Sequence, residues 1–281
     1  RLHLVSSRSA LQAGDELAQG MIDAIHRHMR ELGAEARFDD ASATEIHVRL
    51  LNDHATLSLN TGGEHLHRRG FRRHIGAAPL RETVAAAVVL STFDGHDTVV
   101  DPFCGAGTLL LEAADICNGL APGRERRFAF EQAGWFRPGL WREVQRQSAA
   151  RQQDSSDVLL LGLDADESAL AAATRNLRRA GHGSVQLRNA DSTSFDWASV
   201  PGERRLLIAN LPFGKRLGSP EQSARLHRTF LQQLARGGTW DIALLTTRPR
   251  ALRGIGGVRV ISEQVISSGG LKMTLVRLQT D

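Results

Sequence analysis

The chain has 281 residues, 41% of them hydrophobic, and a formal net charge of +4 whose basic side is almost all arginine. That is enough apolar material for one large domain plus a smaller one; no stretch approaches the roughly 18 uninterrupted apolar residues of a membrane span, and no signal-peptide pattern opens the chain. Two cysteines, Cys104 and Cys117, stand neither in a CxxC nor at zinc-ligand spacing, which excludes a disulfide framework and makes the cytoplasm the expected compartment.

In chain order, residues 1–62 alternate a short strand (Leu2 to Val5), a helix with apolar positions at Leu17, Met21, Ile25, Met29 and Leu32, and two strands (Ile46 to Leu50, Thr56 to Leu59) joined near Asn52-Asp53. The periods of the apolar residues set these assignments. The segment is too small for a core of its own and reads as an α/β appendage. Residues 63–90 read as a glycine- and arginine-rich linker followed by an alanine-rich helix from about Leu80 to Leu90.

From Thr98 onward strands alternate with helices, the pattern of a parallel sheet covered on both faces. Strands are expected at Thr98 to Val100, Val158 to Leu163, Val185 to Asn189, Leu206 to Ala209 and Ile242 to Thr246, with helices such as Glu167 to Ala180 and Ser223 to Ala235 between them. Val258 to Leu278 holds two strand-like stretches, a terminal hairpin that adds an antiparallel strand. The expected architecture for residues 91–281 is a doubly wound, Rossmann-like α/β sheet.

The segment Asp101-Pro102-Phe103-Cys104-Gly105-Ala106-Gly107-Thr108 follows one apolar run and opens another. It reads as strand, tight glycine turn and helix, where backbone approaches a small charged cofactor. Carboxylates mark three strand ends, Asp101, Asp164 and Asp191. Ligands of such sheets lie across the carboxyl ends of the strands near the point where strand order reverses, so these acids are expected to face one cofactor. Asp164 suits the hydroxyls of a ribose and Asp191 an adenine amino group, while the glycine turn lies under a methionine moiety. The competing reading is that the aspartates cap helices. A dinucleotide fingerprint is disfavoured, because Leu110 stands where the third glycine belongs and the acid of the second strand lies 57 residues beyond Gly107 instead of about 20.

A second strand end carries Asn210-Leu211-Pro212-Phe213: an amide, exposed carbonyls and an aromatic face. The two motifs together suggest methyl transfer to a planar amine. Asn210, Leu211, Pro212 and Phe213 form the candidate catalytic set: the Asn210 side chain and the Leu211 carbonyl would accept hydrogen bonds from the target NH2, and Phe213 would stack on an extruded base. The competing reading is a strand-terminating turn with a buried phenylalanine.

At this point the chain resembles the S-adenosylmethionine-dependent RNA methyltransferases that carry a THUMP domain and modify the exocyclic amine of guanine. The residues that carry the likeness are Leu66-His67-Arg68-Arg69-Gly70-Phe71-Arg72, Ala78-Pro79-Leu80-Arg81-Glu82-Thr83, the motif at 101–108 and Asn210-Leu211-Pro212-Phe213-Gly214. Phe128 to Trp141 looks like the insertion of the RlmL-type enzymes of 23S rRNA; Phe213 to Gly218 and Leu244 to Pro249 look closer to the TrmN-like tRNA enzymes. The appendage matches the later part of a THUMP domain, and the second methyltransferase domain of the long rRNA enzymes has no counterpart here. The resemblance implies S-adenosylmethionine as cofactor, held by Asp101, Phe103, Gly105, Gly107, Thr108, Asp164 and Asp191, with Pro79 and Leu80 closing over its methionine end.

Structured RNA is the implied partner. Arg68, Arg69, Arg72 and Arg73 form a basic window without an acid, a phosphate track, with a solvated linker as the other reading. Lys215 and Arg216, beside the Asn210 turn, suit either a phosphate or a helix cap. Trp135 and Trp141 read as packing anchors before base-stacking groups. Eight of the eleven histidines precede position 75, yet their spacing gives no metal set and no metal is expected. Cys104 reads as a small residue of the turn and Cys117 as core. The reading is methyl transfer to guanine N2 in structured RNA, first 23S rRNA and then tRNA. A DNA adenine or protein-glutamine amine methyltransferase, and a non-catalytic RNA-binding module, stand as alternatives.

Overall fold

The computed structural model describes residues 1–39, 44–70, 80–153, 156–212, 219–268 and 270–281. The chain divides into two compact units, residues 1–66 with 126–145, and residues 67–125 with 146–281.

The first unit is built on strand β1 (Leu2–Ser7), helix α1 (Asp15–Glu31) and strands β2 (Glu45–Leu51) and β3 (His54–Asn60). The sheet order is β1-β2-β3, with β1 parallel to β2 and β2 antiparallel to β3. Asn52 and Asp53 turn the hairpin at φ of 50° and 62°, the left-handed pair that such two-residue turns need and that Asn and Asp tolerate. Residues 126–145, expected within the larger domain, pack here. The Arg126 guanidinium donates to the carbonyls of Gly62, Glu64 and His65, and Phe130 N–H donates to the Thr61 carbonyl. Phe128, Phe130, Phe136 and Trp141 then pack ring against ring. Trp141 is thus an anchor, whereas Trp135 is exposed.

The second unit contains α2 (Glu82–Thr92), β4 (Thr98–Asp101), α3 (Thr108–Cys117), α4 (Pro138–Ala149, whose first turns belong to the first unit), β5 (Leu159–Asp164), α5 (Glu167–Arg179), β6 (Gln186–Asn189), β7 (Arg205–Asn210), α6 (Pro220–Arg236), β8 (Asp241–Thr246), β9 (Val258–Ser268) and β10 (Leu271–Thr280). They form one seven-stranded sheet in the order β6-β5-β4-β7-β8-β10-β9. Strands β4 to β8 are parallel. Their apolar runs are buried because helices cover both faces, one around Phe230, Leu231 and Trp240, the other around α2 and Leu109. The terminal hairpin supplies the two expected stretches as β9 and β10: β10 pairs with β8 and β9 pairs with β10, both antiparallel.

Two helix starts differ from the sequence expectation for a local reason. Helix α6 begins at Pro220 instead of Ser223, because Ser219 and Gln222 satisfy each other's backbone N–H groups in a capping box with proline in the first turn. Helix α2 begins at Glu82, Leu80 remaining outside it. No helix among the described residues is long and apolar enough to cross a membrane.

Candidate active site

Strand order reverses between β4 and β7: β5 and β6 lie to one side, β8 to the other. The two chains of residues singled out from the sequence leave these neighbouring parallel strands at the same end. Asp101 closes β4 and Asn210 closes β7.

After Asp101 the chain turns through Gly105 and Gly107 at φ of 54° and 82°, values that cost a residue with a Cβ about 1 kcal/mol or more. The turn is fastened from three sides. Gly107 N–H donates to the Cys104 carbonyl and Cys104 N–H to the Leu163 carbonyl of β5. Gly105 N–H donates to Asp164 Oδ2 at 2.8 Å. Asn176 of α5, fully buried, donates from Nδ2 to the Ala106 carbonyl at 3.0 Å. Helix α5 comes so close that a Cβ on Gly107 would stand 3.3 Å from that of Ala173, whereas a Cβ on Gly105 would meet no atom within 4 Å. Gly105 therefore faces open space.

The aspartates do not cap the following helices. Gly107 stands at the N-cap of α3 and Asp166 caps α5 through the N–H groups of Ser168 and Ala169. Asp164 accepts from Gly105 and Asp166, which leaves lone pairs on both oxygens. Asp101 is buried and accepts Phe103 N–H; burial, reinforced by the Asp164 charge and opposed by that N–H, pushes its pKa up to about 8. Asp191 is exposed, with Oδ1 taken by the N–H and hydroxyl of Thr193. Burial also drives the Cys104 thiol far above the ordinary thiol range, so it is no nucleophile. The Cys117 thiol is pushed up to about 11 by burial.

Because Asp101 binds its proton more tightly folded than unfolded, its contribution is complete below the unfolded pKa of about 3.9 and is lost as pH rises toward about 8. Without added ligand, the melting temperature of the parent should fall more steeply than that of Asp101→Asn between about pH 5 and 8; parallel curves from thermal scans at both ends would contradict this.

At the end of β7, Leu211 is buried and donates its N–H to the Leu245 carbonyl of β8 at 3.0 Å. The Pro212 carbonyl lies 3.2 Å from His227 Nε2 on α6. Asn210 Oδ1 is buried and has no hydrogen-bond partner among the described residues.

Residues 69–274 match the family model described as RMKL-like, methyltransferase domain. The chain belongs to this family. Among RMKL-like relatives, the ribosomal RNA large subunit methyltransferase K/L of Hahella chejuensis is 34% identical over 270 residues, covering 92% of this chain and 38% of that protein. The protein of the same name from Vibrio parahaemolyticus is 37% identical over 195 residues, 67% of this chain and 27% of that one. The chain thus spans well under half the length of these relatives. The crystal structure of SMU.472 complexed with SAH superposes with a TM-score of 0.84 at 25% identity, covering 99% of this chain and 74% of that chain.

Within this RMKL-like domain the structure brings Asp101, Gly105, Gly107, Thr108, Asp164, Asn210, Leu211 and Pro212 to the carboxyl end of three adjacent strands. Phe103 directs its ring against Phe230 of α6. Leu80 buries its side chain in the apolar cluster of α2 and α3. Arg69 leaves the expected phosphate track: its guanidinium is buried against Glu112, Nε to Oε1 at 3.1 Å and Nη2 to Oε2 at 3.3 Å. Burial raises the Glu112 carboxyl and this pair opposes the rise. Arg68 is exposed. Arg72, Arg73, Pro79, Phe213, Lys215 and Arg216 lie outside the described residues.

Asn176 and Asn189, whose Nδ2 donates to the Asp164 and Ala165 carbonyls, support the site and were not found from sequence. The signal for Asn176 was available, a lone amide on the face of α5 that carries Leu170, Ala173 and Leu177. Sequence spacing also hid a group in the first unit. Parallel pairing sets His3 opposite His47, both beside Glu45. The Asn60 amide, then the Arg1 and histidine charges, hold the Glu45 carboxyl below the ordinary range. One ligand atom from each of the three side chains lies within 4.8 Å of the others, a juxtaposition that the sequence spacing did not show; the two rings stack 15° from parallel, and Asn60 and Arg1 also engage the carboxylate.

Proposed function

We propose that this domain transfers the methyl group of S-adenosylmethionine to the exocyclic N2 amine of a guanine in structured RNA, with large-subunit rRNA as the substrate. The observation that carries the reading is the Asn210 amide oxygen, buried and unpartnered among the described residues, on the strand next to an open glycine turn. An unsatisfied buried acceptor costs about 1–3 kcal/mol, so its retention fits an NH2 donor that arrives with the substrate.

The residues present fit the cofactor. Gly105 offers backbone that faces open space, Asp164 has acceptor capacity that would suit two ribose hydroxyls, and Asp101 supplies a buried carboxyl on the adjoining strand end that would suit a hydrogen-bond donor of the cofactor. S-adenosylmethionine, when bound, supplies a methyl group already activated by a sulfonium. The chain therefore has no strong base to provide. Asn210 Oδ1 and the Leu211 carbonyl orient the amine and favour a pyramidal nitrogen, and Phe213 stacks on the base. Alignment then supplies most of the acceleration. The rRNA assignment draws on the named activity of the large-subunit relatives, and the exposed Arg68, with Arg72 and Arg73, serves as part of the phosphate contact.

The test is transfer of labelled methyl from S-adenosylmethionine to total RNA from cells lacking the gene, followed by size separation and nucleoside analysis. Label as N2-methylguanine in large-subunit rRNA is expected. Label in tRNA would move the substrate, and label in no RNA would send the assignment to DNA or protein amines. Asp164→Ala should weaken cofactor binding by about tenfold or more in calorimetry; unchanged affinity would remove Asp164 from the cofactor site.

A further inference from the structure

The Asn210–Pro212 turn contains one carbonyl whose partner comes from neither β7 nor β8. His227, two turns into α6 and 2% exposed, places Nε2 3.2 Å from the Pro212 carbonyl. A carbonyl only accepts, so this contact requires the proton on Nε2. On the other side the Leu211 N–H is tied to β8. The turn is consequently clamped between a strand and a helix, while the Asn210 oxygen it carries is left without a described partner.

We infer that His227 is a positioning residue for the amine-binding turn, holding the Pro212 carbonyl through Nε2–H so that Asn210 and Leu211 keep their acceptors aimed at the reacting nitrogen. This rests on the reading of Asn210–Pro212 as the amine site. The alternative use of a buried polar histidine, filling the core, needs no donor at this carbonyl. An apolar residue would serve it as well, since Leu211 of the same turn and Phe230 and Leu231 of the same helix belong to one apolar core cluster. Burial lowers the His227 pKa, the Pro212 carbonyl opposes this and the Arg248 guanidinium adds to it. The ring is therefore a neutral donor near pH 7.

The discriminating pair is His227→Leu, which fills the space without a donor, and His227→Gln, whose amide nitrogen reaches the place of Nε2. Both are measured in the full chain for kcat and KM in methyl transfer to RNA, for S-adenosylmethionine affinity by calorimetry and for melting temperature. His227→Leu should lower kcat by about 10²-fold, the scale of a misplacement near 1 Å, with KM and cofactor affinity within about threefold of the parent. His227→Gln should restore at least about tenfold of that loss. A His227→Leu variant with parental kcat overturns the inference, as does a His227→Gln variant equally slow at the parental melting temperature. Should His227→Leu fail to fold, His227→Met carries the same comparison. A parent chain inactive on RNA overturns the amine-site reading itself; an active parent unaffected by these changes overturns only the role of His227.

Discussion

Replacing Asn210 by alanine is expected to lower kcat for RNA methylation by about 10²–10³-fold, the usual scale for deleting one positioned polar group that acts on the reacting atoms. The acceptor is buried and has no partner among the described residues, so the substitution removes no described hydrogen bond. The melting temperature should stay near that of the parent or rise. Cofactor affinity should be unchanged, because the glycine turn is fastened by Leu163, Asp164 and Asn176 and not by β7. Single-turnover transfer with saturating RNA, beside calorimetric titration of S-adenosylmethionine, separates these quantities. A variant that binds cofactor and methylates at the parental rate would show that the amine is held elsewhere.

The largest stability effect should come from Asp115. This carboxylate on α3 is buried and receives three donors: Arg124 Nη1 at 2.7 Å and Nη2 at 2.8 Å, and His182 Nε2 at 2.6 Å. It ties the loop after α3 and the loop before β6 onto one helix. Asp115→Ala would leave the Arg124 charge without this partner, a situation that costs about 3–5 kcal/mol. Urea unfolding should show it as a lower midpoint at an unchanged slope. A loss below about 1 kcal/mol would mean that the pair only offsets its own desolvation.

The sheet and the cofactor turn were legible in the sequence because their signals are local. Val99, Val100, Leu206, Leu207 and Ile208 are uninterrupted apolar runs, as strands buried on both faces must be, and Gly105 and Gly107 mark backbone that other residues avoid. The lone amide of Asn176 stood out on its helix, but the partners of such residues were not legible, because each contact joins positions far apart. Asn176 and Ala106 are 70 residues apart, Arg69 and Glu112 43. An arginine destined for a buried carboxylate looks, in a basic stretch, like one destined for phosphate. The same holds for residues 126–145. Arg126 is held by backbone carbonyls, which every residue possesses, so no side chain in Gly62 to His65 announces the contact.

That last arrangement limits how the gene can be cut. Since the N-terminal unit is assembled from two separate stretches of sequence, 1–66 and 126–145, trimming the first stretch would leave Phe128, Phe130 and Trp141 without the strand-end backbone that seats them. A fragment limited to the second unit would have to lose both pieces at once, with a linker joining residue 125 to residue 146, or it would carry an orphaned greasy flap into every assay.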